Sequence, residues 1–146
     1  MAGYQTNRAS CGPAALSNAL EALGIARTEA ELITLTGQNA NGTSPRQLIR
    51  AIKSIGSVEA TLSGDVFKVT RAGEAEVALW HCISERGRPV ILCVDVHEHW
   101  VCAVGYIGGR FVVLDSAETG LVFYYTGEEL AERWVGPNGG FYGIIL

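Results

Sequence analysis

The chain is 146 residues long, a typical size for one domain, and its 48% of apolar residues is enough to form a single hydrophobic core. Charged residues make up only 18%, which argues against long disordered arms, and the net charge is −4 with no block of Lys or Arg. The length and apolar content therefore predict one domain over residues 1–146. Because phosphate binding needs concentrated positive charge, we expect that this domain binds no nucleic acid.

Helical patterns dominate the first part of the chain. The predicted helices cover residues 11–23, 28–35, 44–56 and 74–86. Apolar residues recur at helical spacing in the first of them, and Gly24 follows as a stop signal. Thr28 with Glu31 forms a capping-box pattern, and Ser44 followed by Pro45 marks the start of the third helix.

Strand patterns dominate the second part. Runs rich in β-branched and aromatic residues predict strands over 89–96, 99–106, 111–115, 121–125 and 141–146. One further helix is predicted over 127–134. Helices first and an antiparallel sheet second indicate an α+β fold.

The polar N-terminus and the cysteine pattern narrow the class of protein. Residues 1–10 contain no apolar stretch of the kind found in signal peptides, and the longest apolar runs are too short to span a membrane, so we expect a soluble cytoplasmic protein. No CxxC or Cys/His cluster has the spacing of a zinc site. Cys82, Cys93 and Cys102 each stand among apolar residues and are predicted to be small core residues.

Cys11 has a different setting, because it stands where a loop enters a helix. A helix N-terminus carries unpaired N–H groups and partial positive charge, both of which favour a thiolate. Gly12 allows another chain segment to approach closely, and Pro13 fits a first helical turn. A buried cysteine at a helix start is the alternative, so Cys11 by itself is only a candidate nucleophile.

A candidate base and acid occur on adjacent predicted strands. His99 opens one strand and Asp115 ends the next, whereas His81 lies in a helical pattern and His97 precedes the strand. A three-residue turn through 106–108 would place His99 and Asp115 opposite each other on one face, which we expect to carry the catalytic cleft. A tight Gly108-Gly109 turn without a bulge would put Asp115 on the wrong face. The alternative role of Asp115 is to cap the following turn.

Four motifs in order resemble a known family. A Gln stands six residues before Cys-Gly, a Gly-Thr-Ser stretch opens a helix, a His-Trp-Val strand follows, and an apolar strand ends in Asp. In this chain they are Gln5, Cys11-Gly12, Gly42-Thr43-Ser44, His99-Trp100-Val101 and Val112-Val113-Leu114-Asp115. The sequence is similar to the double-glycine-leader peptidases, papain-like domains that process bacteriocin precursors. It departs from them in having Ser10 before the Cys and Ser116 after the Asp.

This resemblance implies a papain-like α+β fold with N-terminal helices packed on a C-terminal antiparallel sheet. It implies a thiol protease in which Cys11 is the nucleophile, His99 the base, Asp115 the orienting acid and Gln5 an oxyanion-binding group. Such a hydrolase needs no metal or organic cofactor. Its expected substrate is a peptide or protein cleaved after small residues such as Gly-Gly, and a transporter or other partner protein would accompany it.

Three other functions remain open on the same fold. A non-catalytic peptide-binding module would need no thiolate. A thiol acyltransferase resembling the phytochelatin synthases would pass the acyl group to an amine rather than to water. A deconjugating isopeptidase would act on a modifier that ends in Gly-Gly.

Overall fold

The computed structural model describes residues 11–37, 42–58, 62–95, 99–115, 121–136 and 138–146. These residues form five α-helices and six β-strands. The helices are α1 (Cys11–Ala22), α2 (Glu29–Thr36), α3 (Pro45–Gly56), α4 (Ala72–Trp80) and α5 (Gly127–Trp134). The strands are β1 (Asp65–Val69), β2 (Val90–Val94), β3 (His99–Ile107), β4 (Arg110–Asp115), β5 (Leu121–Tyr125) and β6 (Phe141–Ile145).

Local capping chemistry explains where several helices begin. Ser44 and Gln47 form a reciprocal capping box at the start of α3, and Thr126 and Glu129 form another at the start of α5. The Thr28 side chain accepts the Glu31 N–H at the start of α2. These side chains satisfy backbone donors that would otherwise lack partners.

The strands form one antiparallel sheet in the order β1-β6-β2-β3-β4-β5. The chain's last strand therefore lies between β1 and β2, and β3 is in the interior of the sheet. Every residue of β2 is buried, which agrees with a position covered by helices on both faces.

Two hydrophobic clusters pack on opposite faces of this sheet. The first joins α1, α2 and α3 to sheet residues that include Cys93, Trp100 and Ile144. The second joins α4 and α5 to sheet residues that include Val101 and Val113. Neighbouring residues of one strand divide between the clusters, as strand alternation requires.

The α+β fold class expected from the sequence is confirmed: the N-terminal helices pack on an antiparallel sheet. Two elements differ from the expectation. The predicted helix over 74–86 is α4 followed by a π-helical segment, His81–Glu85, and β1 was not predicted. None of the helices in the described parts of the chain is long and apolar enough to cross a lipid bilayer.

Candidate active site

Cys11 is the first residue of α1, as the sequence predicts. Cys11 is 6% exposed and belongs to the cluster formed with the first three helices. Gln5, the predicted oxyanion-binding residue, lies outside the described residues, as do His97 and Ser116.

Close packing at Gly12 holds the start of α1 in place. A Cβ atom at Gly12 would lie 2.7 Å from the Thr43 Cβ, a separation that real Cβ atoms do not tolerate. Thr43 is itself held by Trp100 of β3, whose indole N–H donates to the Thr43 carbonyl at 3.0 Å. The absence of a side chain at Gly12 therefore lets the segment before α3 lie against α1. The hydrogen bond from Trp100 connects the same segment to β3, the strand that carries His99.

The hairpin that joins β3 to β4 contains both a tight turn and a bulge. Ile107 pairs with Arg110 across Gly108 and Gly109, which have φ values of 59° and 80°. The predicted three-residue turn through 106–108 is therefore wrong. The register shifts between Ala103 and Gly105, so that Ala103 pairs with Val113.

The bulge has the effect that the predicted turn would have had. Between the turn and the bulge, the residue numbers of paired positions sum to 107 + 110 = 217. On the far side of the bulge from the turn, they sum to 103 + 113 = 216. Continuing that register places Asp115 opposite Val101, one diagonal step from His99 and on the same face of the sheet. The extra residue, Val104, thus brings the acid to the side of the histidine.

His99 and Asp115 are joined directly. The His99 Nε2 atom lies 2.7 Å from Asp115 Oδ1, and the two side chains are 12% and 0% exposed. Burial lowers the pKa of His99, but hydrogen bonds to Asp115 and Cys11 outweigh it and raise that pKa to about 9. The imidazole therefore bonds directly to the candidate acid, and its pKa also responds to the candidate nucleophile.

Arg133 of α5 completes the surroundings of Asp115. Its Nη2 atom lies 2.9 Å from Asp115 Oδ2, on the opposite side of the carboxylate from His99. Burial would raise the pKa of Asp115, but hydrogen bonds and charge from His99 and Arg133 lower it. The sequence pattern did not single out Arg133, because neither its position in the helix nor its spacing from Asp115 indicates a contact made by folding.

The site is built from both faces of the sheet. Cys11 belongs to the cluster with α1 to α3, whereas Val101 and Ala103, which share a strand face with His99, belong to the cluster with α4 and α5. The expectation that this strand face itself carries the cleft is therefore wrong. The three side chains instead meet where β3 begins and β4 ends.

The other histidine and cysteine side chains have the ordinary surroundings predicted for them. His81 is exposed and interacts with Glu85 within the π-helical segment. Cys82, Cys93 and Cys102 are buried free thiols whose pKa values burial raises, that of Cys93 to about 12. These three thiols are poor nucleophiles near neutral pH.

A cavity of about 300 Å³ adjoins the site. Its lining includes Thr43, which packs against Gly12, and Trp100, which follows His99. Cys93 and Tyr142 add apolar surface, and Lys68 adds a positive charge. The cavity is large enough for a few small side chains of a peptide.

The fold and this arrangement define a papain-like protein. The chain belongs to the peptidase C39 family, whose model matches residues 2–137. Members of this family are hydrolases: they are cysteine peptidases of the double-glycine type, which are associated with bacteriocin processing. The resemblance seen in the sequence motifs is thereby confirmed.

Solved structures of the same fold cover nearly the whole chain. The peptidase domain of Streptococcus ComA, a bifunctional ABC transporter of a quorum-sensing pathway, aligns with a TM-score of 0.71 at 18% identity, covering 97% of this chain and 93% of that one. A double-glycine-motif protease from an AMS/PCAT transporter, solved with its leader peptide, gives 0.68 at 16% identity, covering 100% and 91%. A C39-like peptidase from Bacillus anthracis gives 0.67 at 13% identity, covering 99% and 93%.

Two curated relatives are more similar in sequence over a shorter stretch. Uncharacterized proteins of Methanothermobacter thermautotrophicus and Methanothermobacter marburgensis are 48% and 46% identical over 52 residues. Each match covers 36% of this chain and 37% of the relative. The match thus spans little more than a third of those proteins.

Proposed function

We propose that this protein cleaves a peptide bond after small residues such as Gly-Gly, through a thioester formed on Cys11. The observation that supports this most directly is the 2.7 Å hydrogen bond between His99 and the buried Asp115, with Cys11 near enough to raise the pKa of the same imidazole. Family membership supports a peptidase, and the geometry supports these residues as the ones that carry the reaction.

In the proposed reaction, the Cys11 thiolate attacks the scissile carbonyl while His99 holds the proton. His99 then donates this proton to the departing amine, which leaves an acyl group on the sulfur as a thioester. A water molecule that loses a proton to His99 hydrolyses the thioester and regenerates the thiol. Asp115 fixes the orientation of the imidazole and stabilises its cation throughout.

The oxyanion would be bound by backbone and side-chain donors at the start of α1. The Cys11 N–H stands in the first turn of α1, where backbone N–H groups have no partner within the helix. The Gln5 side-chain amide is the second proposed donor, on the basis of its place before Cys11. One such donor contributes about 3–4 kcal/mol of transition-state stabilisation.

The proposed substrate is a leader-type peptide. One of the solved structures of this fold is described as a complex with a leader peptide, and others are domains of ABC transporters. By analogy, we propose a peptide or protein substrate for this chain and a transporter or other protein as its partner. Thr43, which packs on Gly12, also lines the cavity of about 300 Å³, and the small size of this cavity supports small residues before the cleaved bond.

Two peptides that differ only before the cleaved bond would test this function. The protein should cleave the peptide that contains Gly-Gly and should cleave its Gly-Leu counterpart at least about tenfold more slowly. A side chain that does not match its pocket in size typically weakens transition-state binding by roughly 1–3 kcal/mol. Cys11→Ala should reduce the rate by about 10⁴-fold or more while leaving the circular dichroism spectrum unchanged. Full activity in that variant, or equal turnover of both peptides, would contradict the proposal.

A matched variant and an acceptor assay address the alternatives. Cys82→Ala removes a buried thiol away from the site and should keep activity. Rapid alkylation of Cys11 by iodoacetamide distinguishes an enzyme from a binding module. Transfer to an added amine would indicate an acyltransferase, and cleavage only at a lysine side-chain amide would indicate an isopeptidase.

A further inference from the structure

We propose that Arg133 is a positioning residue for the proposed reaction: it anchors Asp115 between itself and His99 and is in turn anchored by Asp95. This inference rests on the proposed function for its kinetic part and on the geometry of the described residues for its structural part. Neither Arg133 nor Asp95 belongs to the motifs from which Cys11, His99 and Asp115 were predicted.

The Arg133 guanidinium makes contacts with three side chains that lie at or just after the ends of three strands. Its Nε and Nη2 atoms donate to Asp95 Oδ1 and Oδ2 at 2.9 and 3.0 Å, a two-point contact. Nη2 also lies 2.9 Å from Asp115 Oδ2, and Nη1 donates to the Tyr125 hydroxyl at 3.2 Å. One planar group therefore connects the end of β2, the end of β4 and the end of β5.

Asp95 is held in place for this role. Its backbone N–H donates to the Arg133 carbonyl at 3.0 Å, so the two residues are joined by main-chain and side-chain contacts. Asp95 has a φ of 54°, and it is the one non-glycine residue with positive φ in the described parts of the chain. Asp and Asn adopt this left-handed conformation more easily than other residues with side chains.

These contacts determine how Asp115 can act. The carboxylate is 0% exposed, and its two oxygens face different partners, with His99 on Oδ1 and Arg133 on Oδ2. Rotation of the carboxylate away from the imidazole would break the contact with Arg133, and the loss of a buried ionic contact is costly. Arg133 therefore both orients the acid and keeps it ionised.

Among the described residues, Asp115 is connected to titratable groups from several elements. His99 approaches from β3 and Arg133 from α5, while Asp95, after β2, and Tyr125, in β5, reach Asp115 only through Arg133. Cys11 of α1 reaches it through His99. Loss of the Arg133 cation would leave His99 as the one cationic partner among these groups, so Asp115 should bind a proton at higher pH.

The test compares Arg133→Gln and Arg133→Lys in the full chain, with Arg110→Gln as the matched control. Arg110 is exposed on β4, the strand that ends in Asp115, so its replacement removes the same charge without touching the site. The first readout is the titration of the Asp115 carboxyl carbon by ¹³C NMR, assigned with Asp115→Asn. The second is the separation of kcat from KM for the Gly-Gly peptide.

Arg133→Gln should raise the titration midpoint of Asp115 by about one pH unit or more, because an adjacent opposite charge typically lowers a carboxyl pKa by about 1–3 units. It should also lower kcat about tenfold with little change in KM, since orientation matters in the transition state. Arg133→Lys keeps the charge and should leave the midpoint near wild type. Its single ammonium cannot hold both carboxylates, so kcat should still fall several-fold.

A folded Arg133→Gln with a wild-type Asp115 midpoint would overturn the proposal, and so would a wild-type kcat in folded Arg133→Lys. If Arg133→Gln does not fold, kcat of Arg133→Lys decides. If no peptide is cleaved by any form, including the wild type, the proposed function fails, and the NMR titration still decides whether Arg133 controls Asp115. A change in Arg110→Gln as large as that in Arg133→Gln would show a general charge effect and would also overturn it.

Discussion

At the scale of single residues, His99 interacts with two neighbours that favour the same protonation state of its imidazole. In the proposed reaction Cys11 gives up a proton and Asp115 stays ionised, and both conditions favour the imidazolium form of His99. The resulting pKa of about 9 is high for a histidine that is only 12% exposed. The protonation of His99 therefore reports directly on the integrity of the site.

We expect the pH dependence of cleavage to report this pKa. In the proposed reaction His99 supplies a proton to the departing amine, so kcat/KM should fall as the pH rises through about 9. Asp115→Asn removes the anion beside the imidazole, disfavours its charged form, and should move this alkaline limb to lower pH by about one unit or more. A profile from pH 5 to 10.5 would measure both effects.

A matched control exists for this experiment. Glu85→Gln also removes a carboxylate beside a histidine, but the pair His81–Glu85 is exposed and away from the site. Its profile should coincide with that of the wild type. An alkaline limb that stays at the wild-type position in Asp115→Asn would show that Asp115 does not control His99.

At the scale of elements, local sequence signals predicted those parts of the fold that depend on neighbours in the chain. The capping residues Thr28, Ser44 and Thr126 begin helices, and α1 starts at Cys11. The strand β1 escaped prediction because its residues are mostly exposed and it lies at the sheet edge, paired only with β6. Its pairing joins residues far apart in sequence, which periodicity does not reveal.

The β3–β4 hairpin shows both what the sequence can predict and what it cannot. Successive residues of a strand alternate between its two faces, so His99 and Asp115 can share a face only if the hairpin has an odd-length loop or a bulge. A bulge is present. The choice between these two solutions was wrong because the Gly108-Gly109 pair readily forms a tight turn with two positive φ values. Nothing in the local sequence marks Val104 as the extra residue, since its position depends on packing against the first cluster.

The contact between α1 and the segment before α3 can be tested at Gly12. Gly12→Ala would place a Cβ 2.7 Å from the Thr43 Cβ, so α1 or Thr43 must shift. We expect a loss of about 1–3 kcal/mol in the free energy of unfolding, as for other overpacked sites, and a loss of activity of about tenfold or more because Cys11 moves with the helix. Urea denaturation and peptide cleavage would measure the two effects.

Gly73→Ala is the matched control for that substitution. Gly73 lies in the first turn of α4, and a Cβ there would meet no atom within 4 Å. Alanine should therefore be neutral there or stabilise by up to about 1 kcal/mol, with unchanged activity. Equal stability and activity of Gly12→Ala and the wild type would show that the close approach of Thr43 is not needed.

At the scale of the whole molecule, the candidate site joins the two halves of the fold. Cys11 comes from the helices on one face of the sheet, and Arg133 comes from a helix on the other. His99 and Asp115, from the neighbouring strands β3 and β4, lie between them. The same charges that prepare the site for chemistry should therefore also contribute to the stability of the folded chain.

This coupling predicts a pH-dependent stability with a definite sign. The pKa of His99 is about 9 in the folded protein, above its ordinary value of 6.5, so its contribution is fully present below about pH 6.5 and is lost as the pH rises through 9. Between pH 6 and pH 8, the free energy of unfolding should fall by up to about 2 kcal/mol on this account. Cysteine thiols of the unfolded chain are about a quarter ionised at pH 8, and because the same thiols are present in the histidine variants, comparison among these proteins removes their contribution.

Urea denaturation of the wild type, His99→Gln and His81→Gln at pH 6 and pH 8 would measure the contribution. In His99→Gln the difference between the two pH values should shrink, because an uncharged amide can still hydrogen-bond to Asp115 but does not titrate. In His81→Gln it should match the wild type, since His81 is exposed and lies in the π-helical segment after α4. The same pH difference in His99→Gln and the wild type would contradict a raised His99 pKa, and with it the view that the imidazolium is stabilised from both faces of the sheet.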